Sequence, residues 1–433
     1  MSPALPRRPI LRPLALLTGL ATAAVLSGCG TAVDPGARTG GASPSTATTA
    51  TTPTTADGPA EAAAVTPRLA VTYDGGVQVL DAASLELIAD LPLPGFNRLN
   101  PAGDGRHVLV STEGGFRVLD TGTWGSSHGD HAHYHTSAPA LTDLTYAAEE
   151  PGHVVPHHGR TALFDDGAGR VTVVDSDKIA DPAAPRREYT TPQPHHGVAL
   201  ELADRRLVVS EGTAEARTGI RVLSADDREI EESTQCPGVH GEATAQDETV
   251  VIGCTDGVLV YRSDTITKVD SADDYGRIGN QAGSDVSPIV LGDYKVDEDA
   301  DLERPTQVSL IDTEQAKLRL VQLPSSYTFR SLGRGPKGEA LVLGTDGKLH
   351  VIDQVSGKIT DSVPLMRSWT EPDAWQSPRP TLKVSGDIAY VSDPASSSIM
   401  AVDLIKGVVI KKATLSAAPN EVAVATGTVA DHD

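Results

Sequence analysis

Residues 128–135 read HGDHAHYH, which puts His128, His131, His133 and His135 around Asp130. Imidazole nitrogen suits zinc and other first-row dications, and short His-rich tracts often mark metal binding. In an extended segment His131, His133 and His135 share one face. The tract reads as a mobile loop that either binds zinc by itself or folds over a second set of ligands. The plain alternative is a solvated insert. The second set comes from three further stretches: PGHVV with His153, PHHGVAL with His195 and His196, and CPGVHGEA with His240.

These stretches make sense only against a repeat that begins near residue 67. Each unit has a short apolar strand, a turn, and a second strand of the form V-x-V-x-D, such as VQVLD, FRVLD, VTVVD and LHVID. Alternation of β-branched residues marks strands, and AGDG, DDGAG and VSGD supply turns between them. The first strands centre on Ala70, Leu109, Leu163, Val208, Val251, Val290, Val342 and Ala389, spaced 39 to 54 residues apart. No helical periodicity competes. A period of about 45 residues with about four strands per unit is the signature of a β-propeller. The expected fold is therefore all-β, with eight blades, or seven if one unit is degenerate. The segment APNEVAVATG has no unit of its own, and the first unit lacks an innermost strand. The two chain ends are thus expected to share a blade and close the ring.

In a propeller the innermost strands line a central channel. His153, His196 and His240 lie 10, 12 and 11 residues before the strand centres of units three, four and five. Three imidazoles from adjacent blades are therefore expected at one mouth of the channel as zinc ligands, with a carboxylate or water completing the shell. His157 and His158 fall at the other end of unit three's innermost strand and, like His195, rank second. His107, His350 and His432 read as structural or surface residues. The run of Asp293, Asp297, Glu298, Asp299, Asp301 and Glu303 matches no calcium loop and reads as a solvated or partner-docking surface.

The N-terminus reads as a processing signal. Arg7, Arg8 and Arg12 precede an apolar run too short for a membrane span, and LSGC follows. Residues 1–28 are expected to be a lipoprotein signal peptide and Cys29 the lipidated first residue of the mature chain. Residues 29–66, rich in Thr, Ala and Pro, read as a disordered tether, and 67–433 as the propeller. This places a lipid-anchored, monomeric protein on the outer face of the cytoplasmic membrane. In that oxidising setting Cys236 and Cys254 read as a disulfide. The competing reading makes Cys236 and His240 metal ligands at C-x3-H spacing. A net charge of −22 on 433 residues excludes a nucleic-acid binder, because phosphate contacts need clustered Lys and Arg.

HGDHAHYH, HVVPHHGRTALFDDG, PHHGVAL and CPGVHGEA on a propeller resemble the zinc metallochaperones of the Azt type. The resemblance spans most of residues 67–427. It implies an extracytoplasmic, non-enzymatic protein that binds zinc and passes it to the substrate-binding protein of an ABC-type zinc importer. It places the ligands in the His-rich loop and in the three innermost-strand motifs. Members can carry a His-rich N-terminal segment, whereas the stretch from Cys29 to residue 66 holds no His. Two alternatives stay open on the residues alone. One is a lactonase-like zinc hydrolase with Glu242 as base, and the other is a metal-free interaction scaffold.

Overall fold

The computed structural model describes residues 58–430. The signal peptide, Cys29 and His432 lie outside the described residues. Eight antiparallel sheets of four strands follow one another along the chain, each running from an innermost to an outermost strand, and the fifth blade adds a short strand, Gly276–Arg277, paired parallel to Asp256–Arg262. All eight expected strand centres fall on the second strand of a blade, from Ala70 in Arg68–Tyr73 to Ala389 in Ile388–Asp393. The aspartate that ends the repeated V-x-V-x-D strand starts the next turn. Asp81 accepts from the N–H groups of Ala83 and Ser84, and Asp312 from those of Glu314 and Gln315. These are Asx turns, which explains why the motif ends in Asp.

The apolar core is divided. Eight clusters of buried side chains lie between successive blades, one per interface. Leu109, Phe116 and Val118 of blade two meet Leu163 and Val174 of blade three. Val208 and Val222 of blade four meet Ile252 and Leu259 of blade five. A ring made this way depends on its closure. The C-terminal strand Val422–Ala425 is the innermost strand of blade one and pairs with Arg68–Tyr73. Buried Arg330 of blade seven donates to Glu421 at 2.7 Å and so ties the closing strand to the opposite side of the joint.

Cys236 and Cys254 form a disulfide with Cα atoms 5.0 Å apart, buried in the core between blades four and five. The C-x3-H metal reading is thereby excluded, because the Cys236 sulfur is already bonded.

Two expectations need correction. Residues 128–135 are not a mobile loop. They belong to a β-hairpin, Thr123–His128 paired with His131–Thr136, inserted before the outermost strand of blade two. Gly129, at φ +64°, sits first in the two-residue turn, where hairpins favour glycine. The stretch assigned to the tether also contains structure. Ala60–Ala62 adds a third strand to the hairpin, with Glu61 opposite His135. Main-chain pairing to an open strand edge needs no apolar sequence, which is why composition concealed it.

Candidate metal centre

Three consecutive innermost strands deliver the channel histidines. His153 lies within Pro151–His157, His196 just before Ala199–Glu201, and His240 just before Glu242–Ala245. Their ring centroids are 5.2, 5.7 and 5.1 Å apart, and one nitrogen from each lies within 4.8 Å of the others. Glycine makes the approach possible. Gly241 takes φ +76° directly after His240, and a side chain at Gly152 would collide with the Asp166 carboxylate.

Each imidazole is held by the same nitrogen. His153 Nδ1 lies 2.9 Å from Glu242 Oε2, His196 Nδ1 2.5 Å from Asp166 Oδ2, and His240 Nδ1 2.5 Å from the Gly279 carbonyl. Acceptors at Nδ1 fix the tautomer and leave each Nε2 lone pair free. This is the outer-shell arrangement found behind metal-ligating histidines. Burial, followed by the charges of His153 and Arg277, holds His240 well below the usual histidine pKa, so it is neutral and able to ligate at neutral pH. Burial also pushes His153 down, but the Glu242 carboxylate outweighs it and leaves the net shift upward. Glu242 Oε2 is buried and faces the His153 ring, so it braces that imidazole and is not a free ligand. A cavity of about 560 Å³ opens over the three rings, with Arg98, Arg277 and Lys295 among its walls.

The hairpin gathers a second group, His128, His131 and His133. His128 faces His131 across the turn, and His131 Nε2 lies 3.1 Å from His133 Nε2. Glu61 of the added strand holds His133 Nδ1 at 2.8 Å. Two candidates from the same tract fall outside this group. Asp130 is fully exposed and touches only His131 Nδ1, at 3.2 Å. His135 sits farther down the strand, where its ring stacks on Trp124 at 5.3 Å and its Nε2 meets Ser126. Cross-strand pairing chose the set. It brought His128 in from the partner strand, whereas alternation alone would have favoured His135.

The hairpin and the trio lie at opposite ends of the channel. The hairpin leaves blade two between Asp120 and Ala140, at the same end as Pro101. Thr161 donates to the carbonyl of Ala102, so that end matches the His157 end of blade three's innermost strand. His153 is at the other end. The hairpin therefore does not close over the trio.

Three further histidines have visible duties. His195 is buried, with Nδ1 on the Gln193 carbonyl and Nε2 on Ser210, so neither nitrogen is free. His107 pairs with Asp104, and His350 bonds Ser362. In the acidic run, Glu303 folds back onto the N–H groups of Val296 and Asp297, and Asp293 caps those of Gly279 and Asn280. Those carboxylates order turns. Asp166, Glu61 and the Gly279 carbonyl were not legible as site residues, because only the blade geometry brings them to an imidazole.

Fold and site together define a class: an eight-bladed propeller with a three-imidazole cation centre at one mouth of its channel. No protein-family model matches the sequence. The chain is similar to the zinc chaperone AztD of Citrobacter koseri, 27% identical over 340 residues, which is 76% of this chain and 78% of that one. The crystal structure of Citrobacter koseri AztD superposes with a TM-score of 0.72 at 24% identity, covering 83% of this chain and 98% of that one. Its apo structure gives 0.70. The dihydro-heme d1 dehydrogenase NirN shares the fold more distantly, with a TM-score of 0.51 at 14% identity over 82% of this chain and 74% of that one.

Proposed function

We propose that the protein is a zinc metallochaperone, and that it delivers its zinc to the substrate-binding protein of an ABC-type importer. The observation that carries this reading is the trio with every Nδ1 held and every Nε2 free. Three imidazole nitrogens, braced by Glu242, Asp166 and the Gly279 carbonyl, are a good zinc donor set. Similarity to a protein named as a zinc chaperone points the same way.

A carrier must also let go. The trio sits at an open mouth, with His196 exposed, so a partner's ligand can reach the metal before all three imidazoles have left. The cationic side chains of Arg98, Arg277 and Lys295 in the cavity wall disfavour a bound dication and favour an acidic partner loop. The LSGC stretch that follows the apolar run supports action at the outer face of the cytoplasmic membrane with Cys29 as anchor. The contact of Glu242 with His153 supports a transport role over a hydrolytic one, since that carboxylate is used to brace a ligand.

Zinc titration of the purified protein tests the site, and transfer from the loaded protein to a zinc-free importer-binding protein tests the role. Tight zinc binding that survives in the triple variant H153A/H196A/H240A would remove the assignment. Failure of transfer with intact binding would remove the carrier role but keep the site.

A further inference from the structure

The cavity over the trio has more cations in its wall than carboxylates to meet them. Arg98, Arg277 and Lys295 line it together with His153, His196 and His240. Arg277 and Lys295 are cross-strand neighbours in an antiparallel bridge. Among the described residues, neither side chain forms an ion pair or donates to a protein acceptor. Arg98 reaches Glu421 through Nε, at 3.4 Å. A shortage of acids is not the reason, since the chain carries 58 Asp and Glu against 36 Lys and Arg. Elsewhere in the ring the opposite holds: buried Arg330 and Arg379 pair with Glu421 and Glu371, each at 2.7 Å.

The carboxylates in this wall are already engaged. Glu242 braces His153, and Asp293 caps the N–H groups of Gly279 and Asn280. The Arg277 guanidinium packs on Gly279, because a Cβ there would meet its Cζ and both terminal nitrogens. The Gly279 carbonyl is also the acceptor that holds His240 Nδ1. A planar five-donor fork therefore stands next to the brace of one metal ligand, with Lys295 as its cross-strand neighbour. A dication on three imidazoles adds two positive charges to this wall and has a fourth position to fill. Positive charge gathered in a partly enclosed cavity draws an anion into it.

We propose that this wall is an anion site, in which a small free carboxylate held by Arg277 and Lys295, with Arg98 in the same cavity, fills the fourth position on the zinc. The site depends on the zinc-carrier reading of the trio, because the anion completes the shell of a metal that the trio holds. One carboxylate oxygen faces the metal and the other faces the guanidinium fork, the pairing that charge-assisted hydrogen bonds to Arg favour. The anion offsets charge that the wall itself leaves unmet. It also keeps a place for the next ligand, since an acidic side chain of a partner has the same chemistry and displaces the free anion directly.

The test uses the full chain loaded with one equivalent of Co(II), whose d–d absorption bands report the fourth ligand, and malonate as the probe carboxylate. Titrated malonate should shift those bands along a single saturating curve. R277Q/K295Q removes the charge-assisted hydrogen bonds and should weaken malonate by ~10–100-fold. Its zinc affinity in carboxylate-free buffer should rise, because two like charges have left the wall. Chelation of free metal by malonate is the same for both proteins and cancels in the comparison. Bands that ignore malonate, or equal malonate affinity in wild type and R277Q/K295Q, overturn the proposal. Should the variant fail to fold, zinc-loaded wild-type crystals soaked in malonate give a second reading. Density joining the metal to the Arg277 guanidinium supports the site, and its absence at full zinc occupancy overturns it. The two readings fail differently: no Co(II) bands in the wild type removes the trio and the anion together, whereas bands blind to malonate remove the anion alone.

Discussion

The channel trio and the hairpin cluster each assemble three imidazoles, but they do so by opposite routes. The hairpin draws all three from six consecutive residues and leaves them in solvent, where His131 and His133 bond to each other. The trio draws one residue from each of three blades and gives each its own acceptor at Nδ1. Local sequence can crowd ligands together, whereas only packed secondary structure can orient them. A metal entering the trio finds the tautomers already set, and one entering the hairpin must first break a histidine–histidine contact. The trio should therefore be the tight site and the hairpin the weak one.

The largest expected effect is on the trio. H153A/H196A/H240A should weaken the tight zinc site by well over ~100-fold, beyond what loss of an outer-shell partner causes. H128A/H131A/H133A should remove only a weak equivalent. Isothermal titration of both variants decides this, and equal losses would erase the distinction between the two regions.

The disulfide sharpens the contrast next. It anchors the stretch that leads to His240, and removing it should cost about 3 kcal/mol of stability by the loop-entropy argument. C236A/C254A should lower the melting temperature and weaken the trio while leaving the hairpin equivalent intact. A variant whose hairpin weakened as much as its trio would show that the two regions are not independently supported.

Single outer-shell changes follow. D166A removes the acceptor at His196 Nδ1 and should reduce zinc affinity of the trio by ~10–100-fold. E61A removes the acceptor at His133 and should reduce the weak equivalent by at most ~10-fold, since that pair is exposed and screened. The tight site should not change in E61A. The smallest effect belongs to H135A, which should leave both zinc equivalents unchanged, because His135 is stacked on Trp124 and is not aimed at the cluster.

Much of this arrangement was legible from residue order. The V-x-V-x-D repeat marked the strands, and its spacing pointed to eight blades, with seven still open, and to the shared closing blade, because strand period and turn chemistry are local properties. The register of His153, His196 and His240 against those strands was enough to name the trio. The pairing of Cys236 with Cys254 followed from their number and their setting.

Other features were decided only in three dimensions. Of the four histidines in the tract, His128 stays with His131 and His133 because cross-strand pairing puts it beside them, and His135 falls outside the group. Ala60–Ala62 became a strand because an open edge was available to pair with. The opposite placement of hairpin and trio follows from the direction in which the strands of blade two run, and spacing along the chain carries no trace of direction. Asp166 and the Gly279 carbonyl reach their imidazoles across separate turns of the ring. Sequence by itself determined which residues could ligate a metal, since side-chain chemistry and strand register are written in residue order. Tertiary structure decided which of them meet, which nitrogen each presents and on which face, because those depend on contacts between segments far apart in the chain.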